Sequence, residues 1–130
     1  MLVKRRIKTR TFVAKQSWQI IDGRKIFFRS NWEFKMAKQL QMLKEKKEIL
    51  EWEHEPKTFW FENIKRGTRS YLPDFKVTRP DKTHFWVEVK GYMDSKSKTK
   101  IKRFKKYYPD EEIKIVEKEW FIKNLIYIGH

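Results

Sequence analysis

The sequence predicts an α/β domain in which a mixed β-sheet carries helices packed on it. Three observations lead there: two hairpin signatures, two stretches whose apolar residues recur at helical spacing, and enough core material for one interior. The 130 residues are 39% hydrophobic and 16% aromatic, with six Trp. A chain of this length buries a core without disulfide staples. Four Gly and four Pro, with no repeat and no Gly/Ser linker, mark no boundary, so residues 1–130 read as a single domain.

Taken in order, residues 1–10 form a basic arm, and β-rich runs at 11–21 and 24–29 flank Asp22-Gly23. That dipeptide suits a two-residue type I′ turn, so an N-terminal hairpin is expected. Ser30 is a good N-cap, and Met36, Ala37, Leu40 and Leu43 give residues 31–47 a helical stripe. Residues 49–61 alternate near period two around Pro56, which implies a strand with a break or edge at the proline. Residues 62–70, with Gly67, read as loop. Residues 71–77 and 84–90 are strand-like about the turn signal Pro80-Asp81, a second hairpin. Past Gly91, Asp94 or Ser95 can cap a helix that Pro109 stops near Tyr108. Residues 113–116 form a short buried strand, and 117–130 a short helix with a trailing strand.

Composition excludes several functions. With no cysteine there is no disulfide framework, thiolate metal site or Cys nucleophile. No apolar run approaches the ~20 residues of a membrane span, and the opening MLVKRRIKTR lacks the apolar stretch of a signal peptide, so no membrane association and a cytoplasmic location are expected. The 32 Lys plus Arg against 17 Asp plus Glu leave a net charge of +15, far above the magnitude of ~2 to 8 that suffices for solubility. A polyanion, foremost nucleic acid, is the partner such an excess attracts. The charge is uneven: residues 1–50 carry 14 basic and 4 acidic groups, 51–90 carry 8 and 7, and 91–130 carry 10 and 6. The nearly neutral middle keeps its carboxylates.

Those carboxylates fall into a pattern. With Asp81 at the centre of the second hairpin, residues whose numbers sum to 162 pair, and Asp74 lies opposite Glu88. Alternation then puts Glu88 and Lys90 on one face, while Phe85, Val87 and Val89 share the other with Phe75 and Val77. Two adjacent carboxylates repel unless they share a proton or hold a cation. Oxygen ligands of this kind suit Mg²⁺ or Mn²⁺, which usually keep waters and add substrate phosphates. A neighbouring lysine can orient a water or offset transition-state charge, which points to phosphodiester hydrolysis. A surface salt bridge among Asp74, Glu88 and Lys90 explains the bare hairpin equally well. Glu33 closes a capping box with Ser30, and it also lies on the stripe of Ala37 and Leu40 that must face the sheet, where an acid needs a partner.

Glu33 in a first helix, then Pro73-Asp74, then Glu88-Val89-Lys90-Gly91 and a basic helix, with Arg29-Ser30 upstream, resemble the PD-(D/E)XK nuclease superfamily. Within it the pattern is most similar to phage-type Holliday junction resolvases of the endonuclease I kind, over residues 24–116. The resemblance implies a restriction-endonuclease-like fold, a mixed central sheet flanked by helices. It also implies an Mg²⁺- or Mn²⁺-dependent endonuclease in which Asp74 and Glu88 are metal ligands and Glu33 is a third. The Val89 carbonyl would face the metal and Lys90 the attacking water. Branched DNA is the implied substrate and a homodimer the implied assembly.

For DNA contacts the helix SKSKTKIKRFKKYY offers Lys96, Lys98, Lys100, Lys102 and Arg103 on its wet faces, with Ile101, Phe104 and Tyr108 as its apolar stripe. Arg5 and Arg6 belong to the basic arm. His54, His84 and His130 are too dispersed to suggest a His-based metal site. Trp52, Trp60, Trp86 and Trp120 can stack on bases, although packing explains most of them. Two other readings stand beside the resolvase: a nuclease that cuts transposon ends or plain DNA with a partner, and a non-catalytic nucleic-acid-binding protein.

Overall fold

Asp22 and Gly23 both adopt positive φ, 53° and 76°, the backbone that a type I′ turn demands. They join strands β1 (Ser17–Ile21) and β2 (Arg24–Phe28) in antiparallel register, Trp18 opposite Phe27. The structure is a computed structural model and describes residues 16–91, 93–117 and 119–120. The basic arm with Arg5 and Arg6, the first part of the 11–21 run, and most of the expected C-terminal helix and strand lie outside the described residues.

Helix α1 (Asn31–Glu45) starts at Ser30, whose Oγ accepts the Glu33 backbone N–H at 3.2 Å. The second hairpin has the register the alternation requires: β6 (Phe75–Thr78) pairs with β7 (His84–Lys90) as Phe75 with Val87 and Val77 with Phe85. Its turn is fixed by Asp81, whose Oδ1 accepts from the Thr83 N–H at 2.9 Å, and by Lys82 at φ 74°. Strand β3 (Glu51–His54) adds antiparallel to β6. Strand β8 (Ile113–Glu117) adds parallel to β7, a pairing that needs a long crossover, and helix α2 (Ser95–Tyr107) supplies it. The resulting four-stranded mixed sheet has the order β3-β6-β7-β8.

Two strand expectations need correction. Residues 49–61 do not form one strand with a break. After β3, Glu55 takes φ 48° and Pro56 has no N–H for a ladder, so the chain leaves the sheet. It forms β4 (Phe59–Trp60) in a separate ribbon with β5 (Ser70–Tyr71). Residues 71–77 are likewise interrupted by Leu72, Pro73 and Asp74, so Asp74 sits one residue before β6 rather than inside it.

Both faces of the sheet are covered. On one, Trp52, Phe75, Val77, Val87, Val89 and Val116 pack against Phe28 of the first hairpin and Met36, Ala37 and Leu40 of α1. On the other, Trp86 joins Phe59, Phe61 and Tyr71 of the ribbon region and Ile101 and Phe104 of α2. Phe59 meets Trp86 and Phe104 edge-on at 5.0 and 4.8 Å. Aromatics such as Phe104, fully buried, each contribute about 2 to 3 kcal/mol of transfer free energy. The chain is thus mixed α/β, with helical and ribbon layers on either side of one sheet. Among the described residues no helix is long and apolar enough to cross a membrane.

Candidate active site

Strand β7 lies inside the sheet, and a buried charge on it requires partners. Glu88 has two: the Tyr71 hydroxyl donates to its Oε1 at 2.6 Å, and Lys90 Nζ stands 3.3 Å from its Oε2. Asp74, on the bend before β6, accepts the Val89 N–H on Oδ2 at 2.7 Å. That bond ties the bend to the partner strand just beyond the last ladder pair, Phe75 with Val87, at the residue next to Glu88. Asp74 and Glu88 are both buried, whereas the Lys90 side chain remains 28% exposed.

Glu33 reaches the same place from the first turn of α1. Its N–H is spent on the Ser30 cap, while its buried carboxylate faces His54, with Oε1 3.5 Å from Nε2. The His54 ring is held between those of Phe28 and Phe75, at 5.0 and 5.3 Å. Next to it, Glu55 is paired with Arg29 at 3.1 Å. A cleft of about 290 Å³ gathers Glu33, Glu55, Tyr71, Asp74, Glu88, Val89, Lys90, Lys100, Leu72 and Arg29 along its walls.

The electrostatics of this cleft are set by crowded acids. Burial, then the charge of Glu88 and then that of Glu33, push the Asp74 carboxyl well above its ordinary range, against the pull of the Val89 N–H. Burial also raises Glu88, although Tyr71 and Lys90 act the other way. Tyr71, buried beside that carboxylate, holds its proton far more tightly than a free phenol and so stays a donor. Unscreened carboxyls that resist ionising together are the environment a divalent cation relieves. The donor set is hard oxygen, which fits Mg²⁺ or Mn²⁺.

Glu33, Asp74, Glu88, Val89 and Lys90 therefore line one cleft. They do not converge on a single point. Among the described residues, the trio of metal-ligating side chains whose donor atoms lie within 4.8 Å of one another is Glu33, His54 and Glu55. His54, an ordinary residue by sequence spacing, is Glu33's neighbour. Glu55 and Tyr71 are further members of the cleft that sequence reasoning misses, and Arg29, noted only as part of the upstream motif, is another wall residue. No spacing signals Glu55 and Tyr71, because they arrive through the chain's exit from β3 and its bend at Pro73.

The basic residues divide. Lys100 lines the cleft, while Lys96, Lys98 and Lys102 are exposed or nearly so on α2. Lys98 and Lys102, with Lys105, Met93 and Ile101, border a shallow groove of about 320 Å³. Arg103, expected on a wet face, donates to the Thr68 carbonyl and holds the 62–70 segment against α2. Trp52 and Trp86 are core, as packing predicts, and Trp60 is exposed.

No curated protein and no solved structure matches the chain. A family model does, described as a protein of unknown function (DUF1064), and it matches residues 12–129, nearly the whole sequence. On that match the chain belongs to the DUF1064 family.

Proposed function

We propose that this protein is a metal-dependent DNA endonuclease of the PD-(D/E)XK type, with a restriction-endonuclease-like fold, acting on branched or otherwise structured DNA. The observation that carries the reading is the hairpin register. It puts Asp74, Glu88 and Lys90 on one cleft while sending Phe75, Val77, Val87 and Val89 to the core, and α1 brings Glu33 to the same cleft.

Asp74 and Glu88, with Glu33, would hold Mg²⁺ or Mn²⁺, and the Val89 backbone lies beside them. Such an ion, when bound, polarises a phosphoryl oxygen and lowers the pKa of a coordinated water. The chain's own groups do the rest. Tyr71 fixes one oxygen of Glu88 through a donated hydrogen bond, which leaves the carboxylate a defined orientation. Lys90, tethered to the other oxygen yet open to water, is placed to orient a nucleophile and offset charge growing on the phosphate. Lys100, on the wall, supplies a cation for a flanking phosphate, and Arg29, though paired with Glu55, is exposed enough to share its guanidinium with a second. A homodimer would let two strands be cut.

The experiment is cleavage of a panel of four-way junction, splayed, nicked, single-stranded and plain duplex DNA with Mg²⁺, Mn²⁺ or EDTA, using the parent and Asp74→Asn. Divalent-dependent cutting of the branched substrates, lost in the variant, is the expected result. Binding without cutting under every condition would leave the non-catalytic nucleic-acid-binding reading, in which Ser30 caps α1 over Glu33 and Lys90 merely pairs with Glu88.

A further inference from the structure

The first hairpin has two unlike faces. Ile21, Ile26 and Phe28 turn inward toward α1. Trp18 and Ile20 turn outward, 61% and 73% exposed, with Phe27 and Lys25 opposite them in the ladder. The Trp18 and Phe27 rings lie 5.2 Å apart at 55°, and the Lys25 ammonium sits 5.2 Å from the indole centroid. A tryptophan left open on a braced ribbon, with a cation over its ring, is an unusual use of the largest apolar side chain.

Its surroundings say what it suits. A cleft of about 600 Å³, larger than that of the candidate active site, runs from Trp18 past Lys25 and Phe27 to Arg29 and Glu55. Arg29 and Glu55 also wall the candidate active site, so the two clefts adjoin across this ion pair. The charge is one-sided in sequence: six Lys and Arg precede Asp22, the first acid in the chain, and Arg24, Lys25 and Arg29 come after it on the ribbon and its exit. Aromatic faces interleaved with cations accept unpaired nucleotides, since bases stack on the ring while phosphates meet the ammonium and guanidinium groups. Paired bases inside a duplex offer no free face. A second copy of the chain docked on the same patch would bring Lys25 and Arg29 against their own equivalents, a like-charge arrangement that disfavours it.

We propose that the outer face of the β1–β2 hairpin, Trp18 backed by Phe27 and flanked by Lys25, is a stacking platform for unpaired nucleotides of the DNA whose backbone enters the Asp74–Glu88 cleft. The inference rests on the nuclease reading for its substrate and extends it, because it names a part of the protein that prefers a single-stranded arm over a closed helix.

The test measures binding in Ca²⁺, where turnover is not expected, with the full chain. Fluorescein-labelled splayed DNA and a blunt duplex of equal length are titrated, and 2-aminopurine in the unpaired arm reports stacking. Trp18→Ala should weaken binding to splayed DNA about tenfold, with less than a twofold change for duplex, and abolish 2-aminopurine quenching. Trp18→Phe should restore most of both, and unchanged melting temperatures would show that each variant folds. Equal affinity and equal quenching for parent and Trp18→Ala would overturn the platform. So would a dimer, seen by sedimentation, that Trp18→Ala dissociates without affecting DNA affinity. Cleavage in Mn²⁺ is scored separately: a platform effect without cleavage rejects only the nuclease reading, and cleavage with no Trp18 effect rejects only the platform.

Discussion

Replacing Asp74 by Asn should make the metal-free protein more stable, not less. The carboxyl is buried, faces Glu88 and Glu33, and is held above its ordinary range by burial first and by those charges next. A raised carboxyl pKa means that the unfolded chain gives up its proton near pH 4 while the folded chain still holds it. Below that pH both states are protonated and nothing is lost. As pH climbs toward neutrality the folded state loses stability by about 1.4 kcal/mol for each unit over which it retains the extra proton. Between pH 4 and 7 the full effect would approach about 4 kcal/mol. Sharing of the proton with Glu88 and relaxation of the cleft make about 2 kcal/mol the expected gain for the variant. Asn keeps an oxygen for the Val89 N–H, so the bend before β6 is preserved.

In a domain of this size 2 kcal/mol corresponds to a rise in Tm of roughly 6 to 10 °C. Thermal unfolding in EDTA at pH 4, 5.5 and 7 should show parent and Asp74→Asn converging at pH 4 and separating as pH rises. Added Mn²⁺ or Mg²⁺ should then lift the parent toward or past the variant, which has lost a ligand, by the mass action of a cation that binds only the folded state. A variant that melts below the parent in EDTA at pH 7 would refute the reasoning, because Asp74 would then be a stabilising structural acid. A parent indifferent to every divalent cation would remove the metal from the account.

Lys90→Ala should lower the cleavage rate by about 10² to 10⁴ while leaving DNA affinity in Ca²⁺ within threefold, since its role is on the transition state; single-turnover kinetics beside a binding titration check this. Lys98→Ala with Lys102→Ala should weaken duplex and junction alike and reduce the slope of log affinity against log salt by up to about 1.8, at about 0.9 per lost phosphate contact, measured by fluorescence anisotropy across a salt series. Tyr71→Phe removes the 2.6 Å donor to Glu88 and nothing from the packing around Phe104, so it should cost about 1 to 3 kcal/mol at pH 7 in urea unfolding. That cost should shrink at acid pH, where Glu88 is protonated.

Strict periodicity made part of this fold legible in the sequence. The 162 register needed only alternation along two strands and a turn between them, and the observed ladder reproduces it from Phe75–Val87 to Thr78–His84. Helical spacing from Ala37 and Leu40 placed Glu33, and all three are buried. The two-residue strands β4 and β5 carry too little pattern to be seen, and they exist because Phe59, Phe61 and Tyr71 pack with Trp86 and Phe104 on one face of the sheet. His54 joins Glu33 only because β3 pairs with β6, 21 residues from the helix position it meets, and no local rule encodes that pairing. Trp18 gives no signal of its own, because alternation alone does not say which face of an isolated ribbon will be covered.

The charge distribution takes on a different meaning once the cleft is built. A chain of net charge +15 draws phosphate from a distance, yet the cleft itself holds four carboxylates, Glu33, Glu55, Asp74 and Glu88, against the three cations Arg29, Lys90 and Lys100. Arg29 is committed to Glu55 and Lys90 to Glu88, so among the described residues Asp74 and Glu33 are the cleft acids with no lysine or arginine beside them at ion-pair distance. A phosphodiester steered in by the outer lysines would therefore meet, at the last few ångströms where screening by solvent is weakest, acids that are either ionised and repel it or, like Asp74, still protonated and without a cation to offer it. A divalent cation between acids and phosphate, displacing the proton Asp74 retains, makes that final step attractive. Affinity built on the surface and admission controlled in the cleft are then separable properties, and this is why substitutions on α2 and substitutions at Asp74 should act on different measurements.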